Sequence, residues 1–135
     1  MLQPKKSKYR KQFRGKRSGT VSSGNTVAFG EFGLKAMSAG WFSARQIEAA
    51  RKTISHHTKR AGKLWIRVFP DKPTTKKGPG VKMGAGKGDI HQYVAVIRPG
   101  RILFELGGLS EVEAREAFRK AAHKIGVRTH VVVRT

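Results

Sequence analysis

Residues 43–69 read SARQIEAARKTISHHTKRAGKLWIRVF, and within them the spacing of apolar residues changes from helical to strand-like. Ser43 is followed at the third position by Gln46, the pattern in which serine caps a helix amino terminus and glutamine reaches back to the capping backbone. At ~100° per residue, Ile47, Ala50, Ile54, His57 and Ala61 gather on one face. Arg45, Lys52, His56, Lys59 and Arg60 gather on the other, and Glu48 is the single acid of the helix. Gly62 is placed to stop it. From Lys63 the helical period is lost, and Leu64 to Phe69 is apolar except at Arg67, as in a buried strand. Trp65, in mid-strand among aliphatic residues, is expected in the core. A capped helix passing through one glycine into a strand calls for a domain of helices on a sheet.

Downstream, Pro70 to Asp89 holds five lysines, five glycines and three prolines, with no acid between Asp71 and Asp89. That composition disfavours helix and regular strand alike, so a long cationic finger is expected between two buried strands. Beyond it, Gln92–Arg98 and Arg101–Leu106 flank Pro99-Gly100 and read as a β-hairpin. Ser110 caps a second helix, with Glu113 at the box position and a buried stripe of Ala114, Ala117, Phe118, Ala121, Ala122 and Ile125. Glu111–Arg115 and Glu116–Lys120 are favourable pairs four residues apart on that helix. Gly126 ends it, and Val127–Val133 supplies a last strand. Upstream, Phe29, Phe32 and Leu34 mark a strand within Val27–Met37, where Gly30 and Gly33 point to a bulge or to close packing. The expected fold is α+β: a small, mostly antiparallel or mixed sheet packed with two helices over residues 27–135, carrying a finger at 70–89 and preceded by a basic arm at 1–26.

The chain has 29 Lys and Arg against 8 Asp and Glu in 135 residues, a formal charge of +21. Such a density repels itself unless an anionic partner neutralises it, which brings nucleic acid forward, then an anionic membrane surface, then heparin-like polymers. No apolar run approaches the ~20 residues needed to span a bilayer. The polar, basic amino terminus is unlike a secretory signal. With no cysteine, disulfides and thiolate metal sites are excluded. Residues 1–30 carry eight basic side chains and no acid. Within them Lys5, Lys6, Lys8, Arg10, Lys11, Arg14, Lys16 and Arg17 interleave with Tyr9 and Phe13, so cations can meet phosphates while the rings stack on unpaired bases or pin the arm to its own domain. So few apolar residues build no core, and the arm is expected to order on its partner.

No constellation here supports catalysis or a cofactor. Gly84-Ala85-Gly86-Lys87-Gly88 resembles a nucleotide loop, but Val81 and Gly88 stand where a phosphate-binding loop needs Gly and Ser or Thr, and a strand follows instead of a helix. His56 and His57 point to different faces, and His91, His123 and His130 lack metal-ligand spacing. The acids are scattered, so no pair is placed for acid–base or two-metal chemistry. Composition leaves two classes open: a component of a structured ribonucleoprotein, and an independent nucleic-acid-binding module.

Four segments carry a further pattern: Met1-Leu2-Gln3-Pro4-Lys5-Lys6; Ser43 to Arg51; Lys59 to Pro73; and Lys82-Met83-Gly84-Ala85-Gly86-Lys87-Gly88. Over essentially its whole length the chain resembles ribosomal large-subunit protein sixteen of the bacterial and organellar type. The resemblance begins at Met1, which argues against a transit peptide. It implies a non-enzymatic part of the large subunit in the cytoplasmic or an organellar ribosome, monomeric there, bound to ribosomal RNA and neighbouring ribosomal proteins, touching tRNA near the aminoacyl site and aiding late assembly. By the same resemblance the arm cations, with Arg45, Arg51, Lys52, Lys59, Arg60 and Lys63, face ribosomal RNA. Lys76, Lys77, Lys82, Met83, Gly84 and Lys87 form a tip near tRNA. Family members often carry arginine where this chain has Lys82, which offers a point charge without the planar fork.

Overall fold

The computed structural model describes residues 2–84 and 86–134. Met1, the first residue of the arm, Ala85, the centre of Gly84-Ala85-Gly86, and Thr135 lie outside the described residues. The elements run β1 (Phe32–Ala36), β2 (Gly40–Ser43), α1 (Ala44–His57), β3 (Lys63–Ile66), β4 (Lys72–Lys76), β5 (Asp89–Ile97), β6 (Ile102–Gly107), α2 (Glu111–Ala122) and β7 (Thr129–Val133). The α+β class holds. The strands, however, form two antiparallel sheets where one was expected, ordered β3-β6-β1-β7 and β2-β5-β4.

Strand β6 is the centre of the molecule. All of its residues are buried, because β1 and β3 flank it and both of its faces are covered. Phe104 on β6 meets Phe42 on β2 edge to face, with ring centroids 6.0 Å apart, which joins the two sheets through their side chains. Ile47, Ala50 and Ile54 of α1 and Ala114, Ala117, Phe118 and Ala121 of α2 complete that core, as the helical periodicity anticipated. At the start of α1 both halves of the capping box form: Ser43 Oγ accepts from the Gln46 amide at 3.2 Å, and Gln46 Oε1 accepts from the Ser43 amide at 2.9 Å. Ser110 likewise accepts from the Glu113 amide at the start of α2.

Several expectations change. Gln92–Arg98 and Arg101–Leu106 are not a hairpin: β5 is flanked by β2 and β4, and β6 by β1 and β3, so neither has an edge left for the other. Pro99-Gly100 is instead a crossover between sheets, with Gly100 at φ 98° and its amide bonded to the Ala36 carbonyl at 2.7 Å. The finger is shorter than 70–89, since Lys72–Lys76 is a strand paired with β5. Pro73 is tolerated there because β4 is an edge strand with no further partner to receive an amide. Strand β2, two residues past Ser38, was not anticipated, its only apolar signal being Trp41-Phe42.

Helix α1 stops at His57, capped by Thr58, so Lys59, Arg60 and Ala61 lie beyond it and not on the faces assigned to them. Lys59 and Arg60 both adopt left-handed backbone, φ 54° and 63°, and Ala61 is exposed. Glu116 pairs with Arg119, not with Lys120, while the Glu111–Arg115 pair forms at 3.0 Å. Gly30 and Gly33 serve close packing: a Cβ on Gly30 would come within 2.6 Å of the Leu106 carbonyl oxygen, and one on Gly33 within 2.7 Å of Val27. The bulge itself falls at Leu34/Lys35.

Candidate nucleic-acid interface

Strands β4 and β5 pair antiparallel and form a hairpin across residues 77–88, and the arm and this hairpin are one basic body. Lys72 Nζ donates to the Phe13 carbonyl at 2.6 Å, and Lys87 Nζ donates to the Gln12 carbonyl. In return Lys11 Nζ donates to the Lys87 carbonyl at 3.1 Å, and the Lys87 ammonium sits 5.8 Å from the centre of the Phe13 ring. Ammonium groups donate to carbonyl oxygens and lie over an aromatic face here in place of pairing with carboxylates, a natural outcome where acids are scarce. Leu2 packs against the core at the far end of the arm. Along the arm Lys5, Lys6, Lys8, Arg10, Arg14, Lys16 and Arg17 stand exposed, as do Tyr9 and Phe13, the latter 92% exposed.

Past β4 the hairpin narrows to a glycine-rich tip. Gly78-Pro79-Gly80-Val81 makes a turn closed by the Val81 amide on the Gly78 carbonyl at 3.2 Å. Proline at its second position and Gly80 at φ 79° match a type II turn, which needs glycine there. Lys77, half-buried, donates to the carbonyls of Lys82 and Gly84 and so braces the tip from inside. Lys76, Lys82, Met83, Gly84 and Lys87 are exposed, Met83 to 93%. Of the tip residues assigned from sequence, Lys77 is joined to Lys82 and Gly84, whereas Lys87 is turned back onto the arm at the base of the hairpin.

On α1, Arg45 and Lys52 are exposed on the same side, two helical turns apart, about 10 Å along the axis. Arg51 is tied to Glu48 three residues earlier and is less available than its neighbours. Lys59 and Arg60 are exposed on the turn after the helix, and Lys63 opens β3 with its ammonium 5.3 Å from the centre of the Trp65 ring. Trp65 is half-buried and stacks on Phe29 at a centroid distance of 6.2 Å; it is not in the core, contrary to the sequence expectation.

Two features were not read from sequence. The first is a cleft of about 640 Å³ between the arm and the β2-β5-β4 sheet. Arg14, Lys16, Lys72, Arg98 and Arg101 line it, with Asp71 its one acid. Arg98 and Arg101 flank the crossover turn, and only the tertiary fold brings them beside the arm. The second is Glu105, fully buried on β6. Its Oε1 accepts from the amides of Ala28, Phe29 and Gly30 at 3.1, 2.8 and 2.8 Å, and its Oε2 pairs with Arg67. Burial pushes this carboxyl up, but the Gly30 amide, the Arg67 guanidinium and the Phe29 amide outweigh it and hold the group below the usual range. Arg67, which breaks the apolar run of residues 64–69, was the visible half of this pair. No group of three or more potential metal ligands occurs among the described residues. No helix among them is long and apolar enough to cross a membrane.

Fold and surface define the class first: a basic α+β protein whose arm, hairpin and helix end present cations with few acids between them. Comparison with known proteins supplies the family. The profile described as Ribosomal protein L16p/L10e matches residues 4–132. The chain is 58% identical over 135 residues to "Large ribosomal subunit protein uL16" of Xanthomonas oryzae pv. oryzae (strain PXO99A), covering all of this chain and 98% of that one. Identity and coverage are the same for the uL16 proteins of Xanthomonas campestris pv. campestris (strain B100) and Stenotrophomonas maltophilia (strain K279a). The chain belongs to the L16p/L10e family of ribosomal proteins, which are structural proteins and not enzymes.

Proposed function

We propose that this protein is a structural constituent of the large ribosomal subunit in the cytoplasmic ribosome. It binds large-subunit ribosomal RNA through the arm, the exposed cations of α1 and the turn after it, and the hairpin. The hairpin tip around Lys82-Met83-Gly84 reaches tRNA near the aminoacyl site, and the protein supports late subunit assembly. The observation that carries this reading is the lysine-mediated docking of the arm on the base of the hairpin. Lys72 and Lys87 hold the Phe13 and Gln12 carbonyls, so residues 5–17 and 72–87 act as one cationic surface. Phosphates supply the charge that the chain lacks, and each one neutralised releases counterions.

The test is reconstitution of large subunits that lack this protein, with the intact chain or with a chain shortened across Gly78–Gly86. Intact protein should co-sediment with the subunit and restore aminoacyl-site tRNA binding. The shortened protein should co-sediment but restore that binding less. Equal tRNA occupancy from both would remove the tip from the reading, and failure of the intact chain to join the subunit would remove the reading itself.

A further inference from the structure

Beside the basic surface lies a recess of about 350 Å³ whose character differs from everything around it. That volume lies in the range of roughly 300–1,000 Å³ typical of small-molecule sites. Two stacked rings form its wall. Phe29 is 57% exposed despite being aromatic, and Trp65 lies nearly parallel to it, at 19°. The floor is glycine: a Cβ on Gly30 would stand 3.0 Å from the Trp65 ring, and one on Gly107 would stand 3.2 Å from it. Larger residues at either position would press on the ring, so the glycines let Trp65 lie close against the backbone while Phe29 keeps its exposure.

The wall is held rigidly. Glu105 fixes the Phe29 amide at 2.8 Å, and the Arg67 guanidinium, itself paired with Glu105, lies 5.0 Å from the Phe29 ring centre. Lys63 and Arg134 stand at the rim. The one acid there, Glu31, faces the Gly108 amide at 3.2 Å. A rigid, exposed ring with cations on the rim is what stacking of a base with neutralisation of its phosphate requires. An aliphatic side chain from another protein would need the apolar wall but not the cations.

We propose that the Phe29–Trp65 recess binds one unpaired nucleobase, stacked on Phe29, with the attached phosphate met by Lys63 and Arg134. This rests on the RNA-binding reading above and adds to the phosphate contacts a site that senses the base itself.

The chain has two tryptophans, so Trp41→Phe leaves Trp65 as the only indole reporter. Trp41 Nε1 has no hydrogen-bond partner among the described residues, so that substitution removes none. In this background the probes are hexa-adenylate and an abasic hexamer of the same charge. Hexa-adenylate should quench Trp65 emission and the abasic hexamer should not. Phe29→Ala should weaken hexa-adenylate binding roughly 5- to 100-fold and leave abasic binding unchanged, while Phe29→Tyr should retain both. Thermal melts of each variant separate lost stacking from lost fold. Equal binding of hexa-adenylate by Phe29→Ala and its parent overturns the proposal and leaves the recess to a protein side chain. Equal quenching by the abasic hexamer overturns it as well, but leaves phosphate binding standing. Binding of neither oligomer at low salt overturns both the proposal and the RNA-binding reading.

Discussion

Glu105 shows how one residue settles where the arm ends and the folded domain begins. A buried carboxylate is costly unless its oxygens are bonded, and here three amides and a guanidinium meet them. Its folded pKa is depressed, so the stability it contributes is fully present above the unfolded value of about 4.3 and is lost as pH falls through the lower folded value. Melting temperature should therefore fall on acidification below about pH 4. Glu105→Gln keeps the shape but turns an amide group toward Arg67 in place of an acceptor. It should cost about 3 kcal/mol at neutral pH and flatten the acid limb, which thermal melts across pH 3–7 will measure. An unchanged melt at pH 7 would show that the pair is energetically neutral. In sequence this residue stood unmarked between Phe104 and Leu106, because nothing local distinguishes a buried glutamate from one on the solvent side of a strand. Its partner Arg67 was visible as an interruption; what it answered to, 38 residues away, was not.

Elements with a strong local signal were readable, and those defined by their partners were not. Both helix starts follow from Ser43 with Gln46 and from Ser110 with Glu113, where side chain and backbone satisfy each other within one turn. Strand β4, Lys72-Pro73-Thr74-Thr75-Lys76, has no apolar alternation, and only pairing with β5 makes it a strand. Pro99-Gly100 carried a hairpin's turn chemistry, yet the neighbours of β5 and β6 decide which way the chain leaves it. The hairpin tip buries almost no apolar surface, Val81 and Met83 being exposed, so deleting Gly78–Gly86 should move the melting temperature by no more than a few degrees. Closure entropy changes by only ~0.6 kcal/mol per doubling of loop length. A large drop would mean that the tip supports the sheet. Replacing Arg45, Lys52 and Lys59 by alanine should weaken ribosomal RNA binding and lower its log–log salt slope by roughly 0.7–0.9 for each phosphate no longer neutralised, with melting nearly unchanged. If melting falls while the slope holds, these residues brace the fold and leave RNA alone.

For the molecule as a whole, a charge of +21 is distributed so that the core carries almost none of it; Glu105 is its one fully buried charge among the described residues. The arm is secured by Leu2 at one end and by lysine–carbonyl bonds further along, bonds that water can replace. Amide exchange should accordingly be fast over residues 5–19 of the free protein and slow within the subunit, against slow exchange in β6 in both. Slow exchange of the arm in the free protein would show that its order does not depend on RNA. The polyanion partner was legible from composition and the resemblance from four segments, but the joining of arm to hairpin was not. Those bonds run from ammonium groups to backbone carbonyls, which leave no trace in residue identity.

The burial of β6 between β1 and β3 also sets a timetable for synthesis. Neither neighbour has its partner until residues 102–107 have left the ribosome that makes them, and β7, the other partner of β1, comes later still. Long-range pairing of this kind folds slowly, because loop closure precedes the contacts that repay it. The cationic arm is made before the sheet it will lie against. For most of its synthesis the nascent chain is therefore an unfolded polycation close to abundant RNA, and its first competitor for correct folding is the same class of polymer that it is built to hold.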